Sequence, residues 1–171
     1  MEAQRLIEAE GLVGALELAV EIVQKLASRF PTWSLSEAKV SAGVAAAQRL
    51  GQLSQTLTAV LAREADSRAL GAEDGLSRVD WLKAQAPALG CGQATSLALM
   101  GGAMNDPRWQ ALSDKVASGE VSVAQAAVVL RLHKDVVRIA DPGQLDGIID
   151  TIVENIEHLS VTELNRVAAH A

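Results

Sequence analysis

Helix-start signals recur down this chain at intervals too short for any other kind of element to intervene. Ser77 with Asp80, Ser122 with Gln125 and Ser160 with Glu163 each set a hydroxyl three residues before a carboxylate or amide. At that spacing the two side chains satisfy each other's backbone N–H groups at a helix N-terminus. Ser34 with Glu37 is a further pair of the same kind. Asp106-Pro107 and Asp141-Pro142 place an acceptor before a proline at the first helical position, where no N–H is needed. Pro31, Gly71, Pro87 and Gly119 fall where a helix must stop. The signals predict helices over 2–29, 35–70, 78–86, 92–104, 107–118, 123–140, 142–158 and 161–171, and an all-α fold. Abundant alanine and only four aromatics (Phe30, Trp33, Trp81 and Trp109) favour helix over sheet as well.

The first two helices carry a regular apolar pattern. Leu6, Ala9, Val13, Leu16, Val20, Val23, Ala27 and Phe30 alternate spacings of three and four, the heptad register of a helix seam. Ala46, Leu50, Leu53, Leu57 and Val60 repeat that register in the second helix. With a Pro-Thr-Trp turn between them, the two are expected to form a long antiparallel hairpin over residues 1–73, followed by a compact helical bundle over 74–171 with helix-turn-helix-like units. Either both seams face one intramolecular core, or part of the surface is an oligomer interface. In the second case Leu6, Val13, Leu16, Val20 and Val23 are the interface candidates, Gly11 and Gly14 allow close backbone approach, and a homodimer is the favoured assembly.

Composition narrows the functional classes. In a chain of 171 residues, 49% of them hydrophobic, there is enough material for a core of its own. The formal charge of −6 opposes non-specific attraction to phosphate. With no tyrosine and so few other aromatics, a base-stacking platform for single-stranded nucleic acid is disfavoured. Cys91 is the single cysteine, so no disulfide can form within the chain, and a cytoplasmic setting is expected. No apolar run approaches the length of a membrane span.

The residues offer little chemistry. His133, His158 and His170 are far apart in sequence and Cys91 has no partner at metal-ligand spacing, so no metal and no cofactor is expected. Ser96 and Ser122 lack a histidine at a recognisable motif spacing, and Gly101-Gly102 lacks the lysine of a phosphate loop; close helix packing accounts for the glycines. No catalytic residue and no small-molecule substrate is evident, so a non-enzymatic chain is expected.

Several phrases together carry a family resemblance. They are Leu61 to Leu70, Trp81-Leu82, Leu89-Gly90, Gln93 to Met100, Ser118 to Ala126, and Leu159 to Leu164. Over roughly residues 50–171 the chain resembles the helical domain of the 13E12-repeat family, domain of unknown function 222, which commonly precedes an HNH endonuclease domain in actinobacteria and their phages. The resemblance implies a non-catalytic helical domain, truncated at its C-terminus, that recognises or positions DNA beside a nuclease domain.

Duplex DNA is therefore a candidate partner, with two candidate faces. Gln93, Thr95 and Ser96 stand near the start of a helix that could enter a major groove. Arg131, Lys134 and Arg138 share one face of another helix. Asp146, Asp150 and Glu154 form a matching acidic row on the next helix, so the basic row either pairs with it or binds phosphate. The alternative function is a helical oligomerisation or protein–protein interaction module without direct DNA binding.

Overall fold

The computed structural model describes residues 2–137 and 141–170, with the backbone alone for residues 2–6, 9, 10, 142 and 170. Among the described residues there are eight α-helices and no strand. These are α1 (Glu2–Arg29), α2 (Glu37–Ser67), α3 (Arg78–Gln85), α4 (Cys91–Ala103), α5 (Gln110–Ser118), α6 (Val123–Val136), α7 (Pro142–Asn155) and α8 (Val161–His170). Single 3-10 turns at Thr32–Ser34, Pro107–Trp109 and Ile156–His158 sit between them. The chain divides into two compact units, Met1–Ala45 and Ala46–Ala171, and the division falls inside α2.

In the first unit, α1 is not one continuous helix. Gly11 has φ 69° and ψ 179°, a left-handed, extended conformation open to glycine, and it separates two helical stretches. The expected seam is therefore interrupted at Gly11, where the glycine serves a kink. The start of α2 also differs from expectation. Ser34 turns its hydroxyl back onto the Pro31 carbonyl (2.8 Å) to close the 3-10 turn, so the Ser34–Glu37 box does not form. Ser36 precedes the helix instead, its carbonyl accepting from the Val40 N–H at 3.0 Å. No described side chain of this unit is buried.

The second unit is organised around α6. Seven of its residues are buried, from Val123 to Leu132, because α4, α5, α7 and α8 all pack against it. The largest fully enclosed side chains are Leu97, Met100, Leu112, Ile156 and the valines 116, 121, 123 and 129. α6, α7 and α8 start where the sequence placed them, α4 within one residue, and the expected helix over 107–118 opens as a 3-10 turn with α5 following from Gln110. Ser122 and Gln125 form a complete capping box, and the Gln125 amide also donates to the carbonyls of Ile156 (3.2 Å) and Leu159 (2.7 Å). Ser160 and Glu163 form a second box, and Asp106 and Asp141 each accept backbone N–H bonds ahead of a proline.

Within this unit α2 buries a different stripe from the expected one. Thr56, Ala59, Ala62 and Ala65 are buried, whereas Leu50 is exposed and Leu53, Leu57 and Val60 are only half-buried. The reason is close approach by α4. A Cβ on Gly101 would lie 2.8 Å from the Ala59 carbonyl oxygen, so the helices meet backbone to backbone, and leucines on that line would hold them apart. Thr56, on the same stripe, ties α2 to α5 by donating to the Val116 carbonyl at 3.2 Å.

α2 ends in a Schellman arrangement: Leu70 N–H bonds to Ala65 O (2.9 Å) and Ala69 N–H to Asp66 O (3.0 Å). The left-handed position is Ala69, at φ 53°, and not the expected Gly71. Gly71, at φ 86°, is reserved for another role, since a Cβ there would meet Trp81 Cδ1 at 2.7 Å. Trp81 is half-buried against the core and Trp109 is buried within it.

Candidate functional site

The most built feature of the second unit lies between α5 and α7. Arg108 and Lys115 emerge from the Pro107–Trp109 turn and α5 one heptad apart, facing the acidic side of α7 and the turn after it. Arg108 pairs with Asp146, and Lys115 pairs with Glu157 at 2.8 Å while also donating to the Glu154 carbonyl at 3.1 Å. Beside the Arg108–Asp146 pair is a cleft of about 430 Å³. Leu112, Ile149 and Val153 form its floor, and Asp146 and Asp150 stand on its rim.

This pairing differs from the alternative in which the basic row of α6 meets the acidic row. Among the described residues, neither Arg131 nor Lys134 forms an ion pair with Asp146, Asp150 or Glu154; Arg138 lies outside the described residues. Leu145, Ile149, Ile152 and Ile156 of the α7 segment face the core. Of the acidic row only Asp146 is in an ion pair among the described residues, with Arg108 of the turn before α5. The spacing of seven between Arg108 and Lys115 is the signal that sequence reasoning passed over.

Trp109 anchors the same region. Its ring meets the His133 ring edge-on, with centroids 5.1 Å apart at 84°, and the Arg108 guanidinium lies 5.9 Å from its centroid. His133 Nε2 is buried without a hydrogen-bond partner among the described residues. Burial, with the nearby positive charge of Arg108, holds this histidine below its ordinary value of 6.5, and Asp106 opposes them. Glu157 lies below the ordinary carboxylate range because Lys115 hydrogen-bonds to it and adds its charge. Glu163 is lowered by its hydrogen bonds from the Ser160 hydroxyl and backbone. The Lys115–Glu157 pair ties α5 to the turn after α7, whereas the Ser160–Glu163 pair is a local cap at the start of α8.

The DNA-contact candidates are dispersed. Gln93 is exposed in the first turn of α4, but Thr95 and Ser96 are half-buried and donate to the carbonyls of Cys91 (2.9 Å) and Gly92 (3.0 Å) in their own helix. Arg131 and Lys134 are exposed on α6. Among the described residues no three His, Cys, Asp or Glu side chains cluster as metal ligands, and Cys91 is an exposed free thiol.

Of the interface candidates, Val13, Val20 and Val23 are 67%, 55% and 41% exposed, Leu16 is half-buried, and the side chain of Leu6 lies outside the described residues. Leu18, Ile22 and Leu26, which the seam did not include, are exposed too. From Leu12 to Arg29 the polar residues keep largely to a narrow strip through Glu17, Glu21, Gln24, Lys25 and Ser28, and the rest of the circumference is mostly apolar. No helix is long and apolar enough to cross a membrane among the described residues.

Comparison of the chain with protein-family models, with curated proteins and with solved structures finds no match.

Proposed function

We propose that this chain is a helical protein-interaction module, in which Ala46–Ala171 is the folded body and Met1–Ala45 is the docking element. One observation carries the reading. Twelve large apolar side chains from Ile7 to Val44 are between 36% and 88% exposed, in a unit where no described side chain is buried. A helix that is apolar around most of its circumference is stable in water only when something covers it. Contiguous apolar surface beyond about 300–600 Å² marks interaction sites on soluble proteins. The test is urea denaturation of the full chain carrying Val13→Glu and Val20→Glu. Docking residues leave the unfolding free energy of the body within about 0.5 kcal/mol of the parent. A loss of about 2 kcal/mol or more means that the face is part of the chain's own core, and removes the reading.

A second reading, DNA positioning beside a nuclease domain, is supported by the resemblance over residues 50–171 and by Arg131 and Lys134, exposed on one helix without carboxylate partners among the described residues. Binding to duplex DNA with log K falling by about 0.9 per phosphate neutralised for each decade of salt supports it. Replacing Arg131 and Lys134 with Ala then flattens that slope. An absence of binding at low salt removes it.

A further inference from the structure

We infer that the partner of α1 is a second copy of this chain, laid antiparallel about a two-fold axis beside Val23. The inference rests on the interaction-module reading above and supplies its occupant.

The charges of α1 match a second copy of themselves. Glu17, Glu21, Lys25 and Arg29 follow one another at i, i+4 spacing and form one ridge along α1. Read along the helix, the ridge carries two negative charges and then two positive ones. Turned end for end, it is its own complement: Glu17 of one copy faces Arg29 of the other, and Glu21 faces Lys25. A parallel pairing in register sets like charge against like. An isologous contact requires a surface that matches itself under a two-fold rotation, and this row has that property. Within one chain Lys25 pairs with Glu21, while Glu17 and Arg29 have no ion-pair partner among the described residues. The apolar ridge Leu18, Ile22 and Leu26 runs one position over from the charged one, so the ion pairs would flank an apolar contact as they do in helical dimers.

The exposed apolar area is also on the scale of an interface. Twelve half-exposed large side chains, at on the order of 100 Å² each when fully exposed, present roughly 600 Å² of apolar surface. A standard interface buries about 800 Å² per partner, of which roughly 450–520 Å² is apolar. Eight of the twelve lie on α1 and the other four between Phe30 and Val44, so the first unit as a whole displays apolar surface on the scale of a standard interface, most of it on α1.

Light scattering and sedimentation equilibrium on the full chain at tens of micromolar test the proposal. The parent is expected to be dimeric. Glu17→Lys with Glu21→Lys makes the row all positive, and Lys25→Glu with Arg29→Glu makes it all negative; each change is expected to weaken self-association by about tenfold or more. An equimolar mixture of the two recovers a dimer, and all four substitutions together recover a homodimer. Each pair of changes also breaks the Glu21–Lys25 bridge inside the helix, so circular dichroism accompanies every variant. A monomeric parent overturns the second copy as partner, as does a dimer indifferent to the charge changes or oppositely charged variants that fail to pair. A monomeric parent whose Val13→Glu, Val20→Glu variant keeps the stability of the body leaves the interaction reading standing with an unlike partner. A loss of stability in the body overturns both.

Discussion

α1 and α6 are written in nearly the same alphabet of valine, leucine and alanine, with a few charges, yet seven residues of α6 are buried and no described residue of α1 is. Four helices pack around α6, two of them its neighbours in sequence: α5, closed by Gly119 at φ 79°, and α7, capped by Asp141. α1 is interrupted by Gly11 and closed by a 3-10 turn. Apolar composition sets how much surface a helix seeks to hide, and the neighbours determine whether it succeeds. In this chain the second unit hides its apolar residues internally, and the first displays them.

The tryptophans give the widest test of that contrast. Trp109 is 7% exposed and Trp33 is 88% exposed. Trp109→Ala is expected to destabilise the second unit by roughly 3–5 kcal/mol, and Trp33→Ala to stay within about 0.5 kcal/mol of the parent in urea unfolding. Equal costs would erase the distinction. Glycine offers a finer comparison. At Gly101 a Cβ meets the Ala59 carbonyl oxygen, so Gly101→Ala should cost about 1–3 kcal/mol despite the better helix propensity of alanine. At Gly11 there is open space and only the positive φ resists a side chain, so Gly11→Ala acts on the kink and leaves the unfolding of the second unit unchanged.

Smaller still is the C-terminus of α2. Ala69 holds φ 53° where glycine is unstrained, and Ala69→Gly should stabilise the second unit by about 1 kcal/mol, read as a higher urea midpoint. The smallest effect is a pH slope. Because the folded state lowers the pKa of His133, the unfolded chain binds the proton first as pH falls. The contribution is full above 6.5 and is lost as pH falls through the folded value. His133→Gln should flatten this part of the stability profile in urea titrations across that range, whereas Val13→Glu in the first unit should leave it unchanged.

Much of the fold was legible because caps are local. Ser122 with Gln125, Ser160 with Glu163, Asp106 and Asp141 all act where the sequence placed them, since each needs only backbone two or three residues away. Ser34 did not act as expected because it closes the 3-10 turn and α2 begins only at Glu37, so Ser34 is not the residue preceding the helix. What a one-dimensional pattern could not convey was which side of a helix would meet a neighbour. Leu50, Leu53 and Leu57 form the louder stripe in α2, but the backbone of α4 fits only against Ala59 and Ala62. Likewise the acidic row on α7 was visible, and the partner of Asp146 on the α5 side depended on packing order. The exposed charge ridge of α1 was legible residue by residue, although only the exposure around it makes the ridge informative.

Gln125 has a kinetic consequence. Its cap to Ser122 closes over three residues, whereas its amide bonds to Ile156 and Leu159 span 31 and 34 residues. One side chain therefore belongs to two stages of folding: a cap that can form as soon as α6 nucleates, and a tether that waits until α7 has come home. Substitutions at Ser122 should slow refolding, while those that spare the cap and remove only the amide, such as Gln125→Glu, should chiefly hasten unfolding.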